Sequence, residues 1–413
     1  MRSPVWHPFT QHGLEEPIPL VERADGAALH TADGRRIVDA ISSWWVTTHG
    51  HCHPRIGEAI ARQAEQLDQL IFAGWTHEPA ERLASELLEL MPQELRYVFY
   101  SDSGSTSVEV ALKMALGYWR NRGEPRHQIL VLEGGYHGDT IGGMSVGARG
   151  IFNQAYAPLL FDVDVIPTPS YGREQEALDA LESFCRTGRP AALIAEPLIQ
   201  GAGGMRIYSA AALAELRRIC EVAGVLFIAD EVMTGWGRTG TLLACEQAGI
   251  TPDLLCLSKG LTAGALPLAV TLANSAIFEA HYSRDRSQQF FHSSSYTANP
   301  IACAAALANL AVWREEPVRQ RIRDLEGRQR QRLQRLGRAS NVRQIGTITA
   351  CEAKESSSRY LSEVGPKLLA HFGRRNVLVR PLGNTIYVMP PYCIGDDDLD
   401  SVYDAIEEAL ELF

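Results

Sequence analysis

The chain has 413 residues, 21% of them charged and 46% of the AVILMFWYC class, the balance of a globular protein with room for two lobes. Its 49 acidic against 39 basic side chains give a formal charge of −10, which argues against a nucleic-acid partner or an anionic membrane surface. No apolar stretch reaches the roughly 18 residues of a membrane span, and the opening MRSPVWHPFTQHG lacks the apolar centre of a signal peptide, so a cytoplasmic protein is expected.

Residues 28–31 and 36–39 flank an Asp33-Gly34 turn and read as a hairpin. Ser42-Ser43-Trp44-Trp45 follows. In an extended chain the two indoles point to opposite sides, so one can pack inward while the other walls a pocket. His49, His51, Cys52 and His53 lack the paired spacing of a zinc site; they read as a turn entering a helix near Pro54, and no metal is expected. The eight cysteines are scattered, none in a CxxC, and read as free thiols.

Helical periodicity runs through 54–91. From about 97 to 260 short apolar runs then alternate with helical segments, the signature of repeated βα units. The run 97–100 enters Ser101-Asp102-Ser103-Gly104-Ser105-Thr106-Ser107 and a helix from 108; such a junction offers free amides to an anion, although a plain helix cap has the same look. The run 129–132 ends in Glu133-Gly134-Gly135-Tyr136-His137-Gly138-Asp139, where an aromatic between glycines can lie on a planar ring. The run 191–195 ends at Glu196-Pro197, before the glycine-rich 200–204, and 210–223 is an amphipathic helix. The runs 225–229 and 254–257 deliver Asp230 and Lys259. A carboxylate and a lysine on neighbouring strand ends suit pyridoxal phosphate (PLP), the lysine forming a Schiff base and the acid pairing with the ring nitrogen; a structural ion pair is the competing reading. There is no Walker loop and no GxGxxG. A hydroxyl-rich loop at 286–300 precedes a helix from 301, a long basic helix covers about 315–336, and the tail holds strands near 377–380 and 384–389.

The expected fold is therefore α/β, a large domain with a mostly parallel sheet covered by helices and a smaller α+β domain. The expected boundaries are 1–53 joining the small domain, 54–310 for the large domain and 311–413 for the small one.

Seven stretches resemble the class III PLP-dependent aminotransferases of fold type I: GHCHP at 50–54, SDSGSTSVEVALKMA at 101–115, YHGDT at 136–140, EPLIQGAGG at 196–204, IADEVMTGWGRTG at 228–240, LSKGLTAG at 257–264 and SYTANPIACAAA at 295–306. The resemblance implies Lys259 as Schiff-base lysine and proton shuttle, Asp230 on the pyridinium nitrogen, Gly104 and Ser105 on the phosphate and Tyr136 on the ring. It implies a homodimer with shared sites, in which Ser295 reaches the other subunit's phosphate where most members have threonine. WHPFT at 6–10, SSWW at 42–45 and VRPLGNTIYVMPPY at 379–392 are similar to the biotin-pathway branch of the class. That likeness implies that Arg380 binds the far carboxylate of a long amino-keto acid and that Trp44 lines its chain, with Arg238 and Asp139 close by. Phe9 stands where many members have tyrosine, keeping the ring and losing the hydroxyl. S-adenosylmethionine is the usual amino donor of the branch, lysine a rarer one. A broad ω-amine:pyruvate transaminase and a PLP aminomutase are the competing activities.

Overall fold

The computed structural model describes residues 3–353 and 364–412, so the outermost residues of the two expected end segments lie outside it. Its centre is a seven-stranded sheet. In spatial order the strands are Leu95–Ser101, Ala269–Asn274, Leu254–Leu257, Leu226–Asp230, Ala192–Ala195, Ile129–Leu132 and Asp164–Ile166. Neighbours from 254 onward pair in parallel. Ala269–Asn274 alone runs against both of its neighbours. The sequence reading did not assign that strand or Asp164–Ile166.

The apolar runs become strands because both sheet faces are covered. Side chains alternate between two cores with the period of a strand. Ile129, Val131, Ala192, Ile194, Leu226, Ile228, Leu254 and Cys256 pack on one side, with Val108, Ala111 and Ala115 of the helix Gly104–Asn121. Leu130, Leu132, Leu193, Ala195, Phe227, Ala229, Leu255 and Leu257 pack on the other, with Leu213 and Leu216 of the helix Ala210–Ala223. Asp230 continues the parity of Leu226 and Ile228, on the side of the Gly104 helix.

The next residue, Glu231, is buried and serves the fold. Its carboxylate accepts from the amides of Ala244 (2.7 Å) and Cys245 (2.8 Å) and from the Thr234 hydroxyl (2.9 Å). These bonds tie the loop after the strand to the short helix Cys245–Ala248.

The two ends of the chain share a sheet. Val21–Asp25, Ala28–Thr31 and Arg36–Asp39 form an antiparallel meander, and Val377–Leu378 adds in parallel with Val377 opposite Val38. Arg36 also grips Asp398 through two nitrogens, at 2.6 and 2.8 Å. A second sheet joins Ser340–Ile345, Ile348–Glu352 and Thr385–Val388. The helices Val318–Leu333, Val364–Arg374 and Asp396–Glu411 belong to the same C-terminal part.

Between the ends and the centre lies the tryptophan pair. It is a kinked helical turn, Ser42–Trp45, and not the extended stretch expected from the sequence. Ser42, Ser43 and Trp45 all have positive φ. Asp39, fully buried, holds the kink: it accepts from the amides of Ile41 (3.2 Å) and Ser43 (2.6 Å), and its Oδ2 pairs with His51 Nε2 at 2.8 Å.

Glu231→Ala leaves three buried donors without an acceptor, each worth about 1–3 kcal/mol. The variant should unfold at a clearly lower denaturant midpoint, with an unchanged denaturant dependence and about 3 kcal/mol or more of lost stability. An unchanged midpoint would remove Glu231 from its place in the fold.

Candidate active site

At the C-terminal edge of the sheet the strand ends enclose a cavity. Trp45, Gly104, Ser105, Tyr136, His137, Gly138, Glu196, Asp230, Val232, Met233 and Lys259 line it. The five residues the sequence assigned to a cofactor within one subunit, Gly104, Ser105, Tyr136, Asp230 and Lys259, therefore meet in one place.

Ser103 caps the helix Gly104–Asn121. Its hydroxyl accepts from the Thr106 amide at 3.2 Å, and the Thr106 hydroxyl accepts from the Ser103 amide at 2.9 Å. The Ser107 amide bonds the Ser103 carbonyl. The amides of Gly104 and Ser105 are left without an acceptor among the described residues, at the positive end of an 18-residue helix. A Cβ on Gly104 would come within 2.6 Å of Val232, so only glycine lets the wall close at this point. The turn carrying Tyr136 is pressed onto the same helix end: Gly138 has φ +108°, and the Asp139 amide donates to the Ser105 hydroxyl at 3.3 Å. Two free amides, a hydroxyl and a helix dipole form a cup suited to an anion.

Asp230 sits at the back of the cavity, 5% exposed. Its Oδ2 lies 2.7 Å from His137 Nδ1, and its Oδ1 accepts from the Val232 amide at 3.1 Å. Burial opposes a charge on His137, but the bond to Asp230 outweighs it, and the imidazole pKa is raised. His137 and the Val232 amide therefore hold Asp230 in one rotamer.

Lys259 opens a single 3-10 turn, Lys259–Thr262, with φ +45°, a left-handed conformation that L side chains seldom adopt. Its Nζ lies 4.7 Å from the centre of the Trp45 ring. Burial lowers its pKa from 10.5 to about 8, against the pull of Asp230 and Glu196 and with the push of Arg238. An amine in that range is neutral often enough near neutrality to act as a nucleophile and a base.

Tyr136 is half-exposed. Burial of its ring, and then the charge of Asp139, raise its phenol pKa, so the hydroxyl stays protonated. A second cluster stands apart at the surface. Arg380 lies over Trp44 (5.0 Å) and over Phe9 (5.6 Å), and Phe9 meets Trp44 and Phe152 edge-on at 5.5 and 5.9 Å. Arg380 also donates to the Phe9 carbonyl at 3.3 Å, and no ion pair engages it among the described residues.

Two of the chosen residues lie elsewhere. Arg238 is 1% exposed and sits behind the cavity wall. Its terminal nitrogens donate to the carbonyls of Pro390 (3.0 Å), Trp45 (3.3 Å) and Thr47 (3.0 Å), and its plane lies over Tyr392. It braces the tryptophan turn, and its Nε is buried without a hydrogen-bond partner among the described residues. Ser295 is exposed on a loop outside its own cavity, where its carbonyl accepts from Gln69. Lys113 and Asn121 hold that loop through the carbonyls of Phe291 (2.7 Å) and Gln288 (2.9 Å).

Trp45, His137, Gly138, Val232 and Met233 were not chosen from the sequence, and Glu196 was singled out there without a role. Glu196 carried a signal, since it ends a strand as Asp230 does. His137 shares the Tyr136 turn. Nothing in a Trp-Trp pair says which ring faces the lysine.

The family model of the class III aminotransferases matches residues 10–410. The chain belongs to the class III aminotransferases. A relative from Synechococcus elongatus, named adenosylmethionine-8-amino-7-oxononanoate aminotransferase, is 47% identical, with 98% of each chain covered. The crystal structure of an enzyme of that name from Methanocaldococcus jannaschii superposes with a TM-score of 0.94 at 33% identity, covering 99% of this chain and 97% of that one. An amine transaminase from an uncultivated Pseudomonas species, solved with PLP bound, gives 0.92 at 32% identity, with 100% and 99% covered. Lys259 is an amine in this cavity whose pKa lies low enough for it to shed its proton near neutrality.

In apoprotein, amine-directed acylation of Lys259 should rise with pH to half its maximum near 8, because burial lowers the pKa and the neutral amine dominates above it. Peptide mapping across a pH series reads this directly. A midpoint near 10 would mean that the cavity leaves the amine wet.

Proposed function

We propose that the enzyme transfers an amino group to 8-amino-7-oxononanoate, giving 7,8-diaminononanoate on the route to biotin, with S-adenosylmethionine as donor and PLP as cofactor. The names of the relatives from Synechococcus elongatus and Methanocaldococcus jannaschii support the substrate pair. The observation that carries the reading is Arg380, poised over two aromatic rings without a carboxylate partner among the described residues. A planar guanidinium takes a carboxylate through two parallel hydrogen bonds, and Trp44 and Phe9 offer an apolar wall to the methylenes leading to it. Phe9 has no hydroxyl to donate, so it contributes packing alone.

When bound, PLP supplies an aldehyde that captures amines and a ring that draws electrons from the substrate carbon. Gly104 and Ser105 would hold its phosphate through amides and hydroxyl, Tyr136 would stack on its ring, and Asp230, fixed by His137, would pair with its ring nitrogen. Lys259 Nζ takes the proton from the donor's carbon and later gives one to the acceptor's. Donor and keto acid use one cavity in turn, a ping-pong order. Asp139 stands beside Tyr136 at the mouth.

The working unit in this reading is a homodimer in the cytoplasm. Trp6, Leu20, Trp75, Leu159 and Phe291 are each more than half exposed in the single chain, which favours a second copy as their cover. Ser295, on its tethered loop, is then offered to the partner's phosphate. No described helix is long and apolar enough to cross a membrane, and all eight cysteines are free.

A half-reaction screen tests this reading. S-adenosylmethionine, lysine and simple amines are offered singly to the PLP-loaded enzyme, and 8-amino-7-oxononanoate or pyruvate to its aminated form, with the visible spectrum followed. Turnover of pyruvate and none of the nine-carbon keto acid would convert the reading to a broad ω-amine transaminase. Arg380→Ala should raise KM for the keto acid by about 10- to 100-fold, the worth of a charge-assisted contact, and leave the donor's KM nearly unchanged. An equal rise for both would move Arg380 out of the distal pocket.

A further inference from the structure

Asp230 is not the only carboxylate in the cavity. Glu196 lines the same wall, is 5% exposed, and ends the strand next to that of Asp230. Its two oxygens have separate tasks. Oε1 accepts the Tyr136 amide at 3.0 Å, and Oε2 accepts the Gly201 amide at 2.9 Å. One side chain thus fixes the turn that carries the Tyr136 ring and the glycine turn from 201 to 204. The far side of that turn is fixed by Arg343, which donates to the carbonyls of Gly204 (2.6 Å) and Met205 (2.8 Å).

We propose that Glu196 is a positioning residue for transamination: it clamps the Tyr136 and Gly201 amides and, from inside the cavity, supplies a second negative charge that sets the protonation of Lys259. The proposal rests on the reading of Lys259 as the reacting amine; which keto acid is used does not enter.

The groups that act on Glu196 can be named. His137 lowers its pKa and Asp230 raises it; Tyr136 and Lys259 share the cavity, and Tyr208 donates to its main-chain carbonyl at 2.7 Å. Burial is the largest influence and brings the carboxyl to about 7. Below that pH the group is mostly neutral, and above it mostly charged. The charge in turn raises the pKa of Lys259, alongside that of Asp230 and against Arg238. Between about pH 7 and 8 a proton on Lys259 is therefore stabilised by two carboxylates. A second acid of this kind lets the lysine hold the proton it has taken without leaving it bound too firmly to return.

Acylation of Lys259 in apoprotein, mapped against pH, separates the clamp from the charge. Glu196→Gln keeps the shape and loses the charge. Glu196→Asp keeps the charge and draws it back by one methylene. The Gln variant should show the Lys259 midpoint lowered by about half a unit to one unit, and the Asp variant a midpoint like that of the wild type. Both should lose kcat, with KM changed by no more than about twofold. A Gln midpoint equal to the wild type, or the same fall in both variants, overturns the proposal. If the Gln variant does not fold, the Asp variant decides: reduced kcat at an unmoved midpoint supports the role, and wild-type kcat overturns it. Failure of wild-type Lys259 to react near pH 8 overturns this proposal and the transamination reading together. A normal wild-type midpoint with no response to Glu196→Gln overturns this proposal alone.

Discussion

An ammonium ion enclosed by protein loses its hydration, and the enclosure of Lys259 sets the terms for the rest of the site. Trp45 covers the amine on one side. Asp230 and Glu196 return part of the lost stabilisation of the charge, and Arg238 withholds some of it. The outcome is an amine close to balance between its two forms, the condition for a group that both attacks and carries protons. Each of these neighbours is in turn held in place: Asp230 by His137 and the Val232 amide, Glu196 by two amides, Arg238 by three carbonyls.

Arg238 shows how far that support reaches. Its three acceptors belong to residues 45, 47 and 390, and its own carbonyl accepts from the amide and the hydroxyl of Thr347. One buried arginine, through its guanidinium and its carbonyl, thus fastens the N-terminal turn, the strand-end loop and two C-terminal stretches around the lysine. A buried charge without an anion would ordinarily be costly. Main-chain carbonyls and the face of Tyr392 take the place of a carboxylate, and the positive charge so retained adds to the lowering of the Lys259 pKa.

Much of this was legible in the residues. The central strands are apolar runs flanked by turn chemistry, and Ile129–Leu132 and Leu254–Leu257 fall where those runs lie. Asp230, Lys259, Tyr136, Gly104 and Ser105 all follow such runs, so one rule of α/β sheets gathers them at one edge. What was not legible depends on contacts that no single run encodes. Ala269–Asn274 reads as apolar, but nothing local says that it enters antiparallel between the strand just before it, Leu254–Leu257, and Leu95–Ser101, made much earlier. The kink at 42–45 arises from Asp39 and His51, and the propensities of Ser and Trp do not encode it. Arg238 was placed near the substrate by the resemblance alone; its burial and its three carbonyl acceptors are set by residues far away in the chain and could not be read locally.

The pairing of Arg36–Asp39 with Val377–Leu378 carries a consequence for how the molecule is made. The turn bearing Trp44 and Trp45 emerges from the ribosome early, yet the edge partner of the strand before it and the Met389 carbonyl that accepts from its Ser42 hydroxyl belong to the last tenth of the chain. The catalytic chamber therefore cannot close during synthesis. Its first wall, paired early only with Ala28–Thr31, must wait for its second edge until translation is almost over.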